Sequence, residues 1–135
     1  MSDRKISERT KVLMCAKKLI SKEEHWTKHA SFRTESGHTV IRRLEDIVSY
    51  CMSGAIQRAH GWNTSSYNCN EAMETFRFVA NIMILPIATF NDNHNTTHTD
   101  VLRKFDELIG LSLADDQKTE GNHAGTKVFA AANHC

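Results

Sequence analysis

The chain has 135 residues, 40% of them hydrophobic and 24% charged, with a formal net charge of +1. That length suits one domain, which buries roughly 68–70% of its unfolded surface. The near-neutral balance lacks the basic face that nucleic acid requires to displace counterions, so no nucleic-acid partner is expected. It gives no attraction to an anionic membrane either.

The first helix is predicted from Ser7, a good N-cap, to about residue 21 or 22, with Ile6, Val12, Leu13, Ala16, Leu19 and Ile20 spaced three and four apart. Lys17 and Lys18 fall at its C-terminal end, where positive charge suits the helix dipole. From Trp26 to Ile41 the period changes to alternation. Glu35-Ser36-Gly37 supplies a turn and Thr39-Val40-Ile41 a β-branched run, which predicts a small hairpin near residues 30–41 with Gly37 at positive φ.

A second helix is predicted from about Leu44 to Ala59, ended by Gly61. Gly54 in its middle costs about 1 kcal/mol relative to alanine, which makes sense if another backbone approaches the Ser53-Gly54-Ala55 patch. A polar loop around Trp62 leads to a third helix starting near Asn68 or Asn70. It carries Ala72, Met73, Phe76, Val79, Ala80 and Met83 inward and ends at Pro86. Phe90-Asn91-Asp92 reads as a loop with an aromatic anchor. Thr97 and Asp100 then form a capping box for a fourth helix, about residues 98–109, with Gly110 as terminator.

The expected architecture is therefore mainly α: a compact four-helix domain, residues 1–113, with one small β-hairpin. Residues 114–135 read as a polar, mobile C-terminal tail in which Val128–Ala132 docks as a short element. The longest apolar run, residues 82–88, is far below the ~20 residues a bilayer requires. The N-terminus has no continuous apolar core like a signal peptide, and the expected location is cytoplasmic. Cys15, Cys51, Cys69 and Cys135 show no paired spacing for a zinc site, and free thiols are expected, with Cys15 and Cys51 as small core residues.

Several features occur in a fixed order: Trp26 ahead of the hairpin, Gly37 before Val40, Tyr50-Cys51-x-x-Gly54-Ala55-Ile56, and Phe90-Asn91-Asp92 with Thr97 and Val101. In these the chain, over about residues 10–112, resembles a small bacterial and bacteriophage domain family of unknown function. It departs in having Phe90 where that family usually has Trp, and His25-Trp26-Thr27-Lys28 in place of a Gly-rich turn. The resemblance implies a fold and a phage-linked origin, but no reaction.

The candidate binding or loop-organising residues are Asn91, Asp92, Arg33, His94, Trp26 and Trp62. Asn and Asp side chains build loops by bonding their own backbone, so Asn91-Asp92 is expected to brace the entry to the last helix. A buried aspartate needs a partner, and Arg33 is expected to pair with Asp92 in bidentate fashion, tying hairpin to loop. Trp26 and Trp62 are each expected to cover one end of the core, the indole N–H reaching a carbonyl or water. His25/His29 and His94/His98 have metal-like i, i+4 spacing, yet no H-E-x-x-H completes it, so neither metal nor cofactor is expected. No G-x-S-x-G, G-x-x-x-x-G-K-[ST] or G-x-G-x-x-G sequence occurs, and no catalytic residue is assigned.

The expected function is a non-catalytic protein-binding or accessory role. The alternative is a small enzyme or ligand-binding protein with a pocket between the hairpin and the Asn91–Asn95 loop.

Overall fold

The computed structural model describes residues 6–118; the expected docking of Val128–Ala132 and the end of the C-terminal tail lie outside them. The protein is mainly helical with one two-stranded antiparallel sheet. Helices α1 (Glu8–Leu19), α2 (Met52–Ala59) and α5 (His98–Lys118) enclose the core. Val12, Leu13, Ala16, Met52, Ala55, Ile56, Val101, Phe105 and Leu108 are fully shielded there. Helices α3 (Cys69–Ile82) and α4 (Ile87–Asp92) complete it.

α1 starts where its cap predicts. The Ser7 hydroxyl accepts from the Thr10 amide at 3.1 Å, satisfying one orphan donor of the first turn. α3 is capped in the same way by Asn68 Oδ1, which accepts from Asn70 and Glu71. At α5 the capping box closes reciprocally: Asp100 N donates to Thr97 Oγ1 at 3.1 Å and Thr97 N to Asp100 Oδ2 at 3.0 Å. α3 places Ala72, Thr75 and Val79 inward, but Met73, 53% exposed, and Ala80 face outward, against expectation.

The strand β1 (Phe32–Arg33) pairs with β2 (Ser49–Tyr50), in the register Phe32 with Tyr50 and Arg33 with Ser49. The turn forms as expected, Gly37 at φ +88° and Thr34 N bonded to His38 O at 2.9 Å, yet residues 39–41 are not the returning strand. Local β propensity is overridden by burial. Over residues 47–51 the chain alternates inside and outside, with Ile47, Ser49 and Cys51 inward and Val48 outward, and this period of two belongs to a strand. The second helix therefore begins at Met52; residues 44–46 form a single 3₁₀ turn.

Two further boundaries differ from expectation. Phe90-Asn91-Asp92 is helical, the end of α4: Pro86, with φ −54°, both stops α3's continuation and opens a new turn, its carbonyl accepting from Phe90 N at 3.0 Å. Gly110 does not end α5, which continues to Lys118 because its inner face turns polar and still finds partners. Buried Asp116 accepts from Thr10 Oγ1 at 2.7 Å, Ser7 N at 3.0 Å and Arg9 Nη2 at 3.3 Å, while Arg9 Nε reaches buried Ser112 at 2.8 Å. Residues 114–118, expected in the tail, thus belong to the packed fold. Cys51 and Cys69 are free thiols, whereas Cys15 is disulfide-bonded, correcting the expectation of a free thiol there.

Gly54 has a steric reason. A Cβ there would lie 2.1 Å from the Ser31 carbonyl oxygen and 2.8 Å from its carbon, so α2 and the chain entering β1 touch backbone to backbone. Cys51 N donates to the same Ser31 oxygen at 3.1 Å. Gly54→Ala should lower stability by about 3 kcal/mol in urea unfolding, overpacking outweighing alanine's better helix propensity. Gly110→Ala, with open space around the new methyl, should raise it by about 0.5–1 kcal/mol.

His60 caps the C-terminus of α2, 2% exposed, with Nε2 2.8 Å from the Thr75 hydroxyl of α3. Burial lowers its pKa from 6.5 to about 4. Between those values the unfolded chain binds a proton that the folded one refuses, so folding is weakened as pH falls. Stability should drop by about 3 kcal/mol between pH 7 and pH 4 from this group. His60→Gln should flatten that part of the profile in denaturant titrations at stepped pH.

Candidate functional site

Of the six side chains that the sequence singles out, Asn91, Asp92 and Arg33 converge on one short segment, residues 26–29, which begins with Trp26 and links the 3₁₀ turn Glu23–His25 to β1. Asn91, 1% exposed on α4, is at its centre. Its Oδ1 accepts from the Trp26 indole Nε1 at 2.8 Å and from the Met52 amide at 3.1 Å. Its Nδ2 donates to Thr27 O at 3.1 Å and to Asp92 Oδ1 at 2.9 Å. All four hydrogen-bonding positions of one amide are filled, and two N–H donors on Oδ1 fix which way it points.

Asp92 extends the grip. Oδ1 accepts from the His29 amide at 2.8 Å and Oδ2 is 3.8 Å from His29 Nδ1. Burial pushes the carboxyl pKa upward, but the His29 and Asn91 N–H donors, with the charges of His29 and Lys28 nearby, outweigh it and hold the group below the usual carboxylate range. It is thus an ionised acceptor at neutral pH, not a poised base. His29 has φ +68°, the left-handed region that favours glycine, and the carboxylate holds its N–H in place there.

Arg33 does not pair with Asp92, which corrects the expected bidentate bridge. It grips the same segment independently: Nε donates to Thr27 Oγ1 at 2.7 Å and Nη2 to Lys28 O at 3.0 Å, while Nη1 reaches Gly37 O at 3.1 Å. Lys28 Nζ in turn donates to Asn93 O at 2.6 Å. The segment itself fills the space between Arg33 and Asp92. The bracing of Asn91 and Asp92 is accordingly directed at residues 26–29 and the start of α2, not at the entry to α5.

The Trp26 indole N–H reaches a carbonyl oxygen, that of the Asn91 side chain, and the ring packs half-buried against the core. Trp62 stands apart on the α2–α3 connection, its ring 4.6 Å from Phe32 at 33°, covering β1. His94 is exposed on the turn after α4 and takes no part in these bonds among the described residues. Neither histidine pair converges: His29 turns to Asp92, and His98 Nε2 contacts Ile20 O at 2.6 Å. No group of three or more His, Cys, Asp or Glu able to hold a metal occurs among the described residues. Thr27, Lys28 and His29 escape sequence reasoning because all three offer backbone groups, which carry no signature in side-chain type.

Fold and cluster together define a small, mainly helical domain in which buried polar side chains secure a connecting segment. The chain belongs to DUF6197, a family of unknown function whose pattern matches residues 7–111. The Ser112–Asp116 seam on α1 lies beyond that stretch. No curated protein and no solved structure matches the chain.

Asn91→Ala leaves the Met52 amide and the Trp26 indole without their acceptor and should lower stability by about 3 kcal/mol. Asp92→Ala should lower it by about 1 kcal/mol. His29→Gly keeps the amide bond to Asp92 and should raise stability by about 0.5–1 kcal/mol, since left-handed strain of about 1–2 kcal/mol exceeds glycine's added entropy loss. Thermal unfolding of the three variants checks the order.

Proposed function

We propose that this protein is a non-catalytic protein-binding or accessory module. The observation that carries this reading is the full engagement of the polar cluster: Asn91 fills every hydrogen-bonding position internally, and Arg33 and Asp92 hold opposite sides of one segment without meeting. A site for acid–base or nucleophilic chemistry needs a titratable group within reach of a reacting atom. Here the carboxylate already accepts two N–H donors and the guanidinium donates to two carbonyls and a hydroxyl. No helix among the described residues is long and apolar enough to cross a membrane. The resemblance noted from the sequence favours a gene carried by a phage or mobile element, where such a module contacts a host protein.

The protein immobilised and exposed to extract of its natural source should retain one protein in stoichiometric amount, identified by mass spectrometry. Asp92→Ala, kept below its unfolding temperature, should retain the same partner in the same amount. Loss of capture by a folded Asp92→Ala variant would put the carboxylate in the binding surface, and failure of the unaltered protein to retain any partner would overturn the reading.

A further inference from the structure

The polar loop between β1 and β2, residues 34–48, leaves the sheet at Arg33 and returns to it with Val48 N bonded to Arg33 O at 2.9 Å. Compact loops with closely spaced ends are frequent carriers of function. This one surrounds an open cavity of about 930 Å³.

Its outgoing limb has an unusual combination of properties. Thr39-Val40-Ile41 is β-branched throughout, the side-chain type that suits strands, yet it has no strand partner. Among the described residues, none of the four amides or four carbonyls of Thr39, Val40, Ile41 and Arg42 makes a hydrogen bond within the protein. Val40 is 74% exposed. His38, Val40 and Arg42, two residues apart as on one face of a strand, line the cavity with Thr39 and Glu35, and the returning limb adds Glu45, Asp46 and Val48, the last 39% exposed. Arg43 engages Asp46 at 3.0 Å and Glu45 at 3.7 Å, whereas Arg42 has no ion pair among the described residues. The limb thus has a strand's sequence, unused backbone donors and acceptors, an apolar side chain, and two positions away an available guanidinium.

We propose that Thr39–Arg42 is a docking strand, completed when an extended segment of a partner protein pairs with it along the cavity. This rests on the protein-binding reading and names the surface and the partner's chemistry. The incoming chain supplies main-chain hydrogen bonds to residues 39–42, an apolar side chain against Val40 and Val48, and an acidic side chain two residues from it that meets Arg42. Main-chain bonds then give affinity and alternate side chains give specificity, as in other strand additions. An acidic-x-apolar spacing is the recognition rule that follows from the two-residue period.

The test uses the full chain, isotopically labelled, titrated with an acetylated octapeptide alternating threonine with glutamate and valine. Amide shifts should be confined to residues 38–48, and exchange of the Thr39–Arg42 amides should slow at least tenfold. N-methylation of alternate peptide residues, which removes edge donors and keeps the side chains, should weaken binding at least tenfold. Arg42→Glu should weaken it at least tenfold and favour the peptide carrying lysine in place of glutamate. Val40→Pro should abolish binding with the far-ultraviolet spectrum unchanged.

Saturating peptide that leaves the 39–42 amides unprotected overturns the proposal, as does binding indifferent to N-methylation. Protection that rises with protein concentration in the absence of peptide means a second copy supplies the strand, and overturns a foreign partner. A partner captured from extract that leaves these amides unprotected overturns the docking strand while the binding reading stands. Failure of capture removes the binding reading itself.

Discussion

The buried Asn91 amide is the contact around which the non-helical part of the molecule is organised. Helices satisfy their own backbone, but the connection from α1 to β1 cannot, and its groups must find partners before they can be buried. Asn91 gives the indole of Trp26 an acceptor, the Thr27 carbonyl a donor and the first amide of α2 an acceptor, all from one planar group. Because amide geometry is rigid, these three pieces of chain are fixed relative to one another and to α4. The close passage of Gly54 over Ser31 depends on that registration, since a contact with no room for a methyl group tolerates no slip.

A second polar seam performs the same service where α1 meets the end of α5. Half-buried Arg9 and buried Thr10, Ser112 and Asp116 satisfy one another, and the Arg9 guanidinium also lies 4.1 Å from the centre of the Phe78 ring on α3. Such a network is favourable when complete, because removing any member strands the others. It explains how α5 continues past the last turn that hydrophobic spacing supports. It also accounts for a helix whose inner residues change from Phe105 and Leu108 to Ser112 and Asp116 without a break.

With these polar groups engaged internally, the loop from Thr34 to Val48 differs in kind from the rest. It is anchored at both ends by the sheet and by Arg33 on Gly37 O, yet its middle leaves main-chain groups and Val40 facing solvent. Anchored ends with an exposed centre set this loop, to which the proposed docking strand belongs, in contrast to the closed cluster around Asn91.

The sequence by itself determined the helical class, the caps at Ser7 and Thr97, a third helix starting near Asn68 or Asn70, the positive φ at Gly37 and the need for a close neighbour at Gly54. These are local matters of period, hydroxyl chemistry and backbone freedom. It also singled out Asn91, Asp92, Arg33, His94, Trp26 and Trp62 as candidate binding or loop-organising residues, without showing that His94 and Trp62 stand apart from the other four. Tertiary structure alone decided what they hold. Asn91 binds the Thr27 carbonyl, Arg33 the Lys28 carbonyl and Asp92 the His29 amide, groups that every residue type but proline offers; the Thr27 hydroxyl on Arg33 is the one side-chain group among these contacts. It likewise decided that Ser49–Tyr50, not Thr39–Ile41, pairs with β1. Strand choice turns on which side chains the core can accept, and that is set by residues distant in the chain.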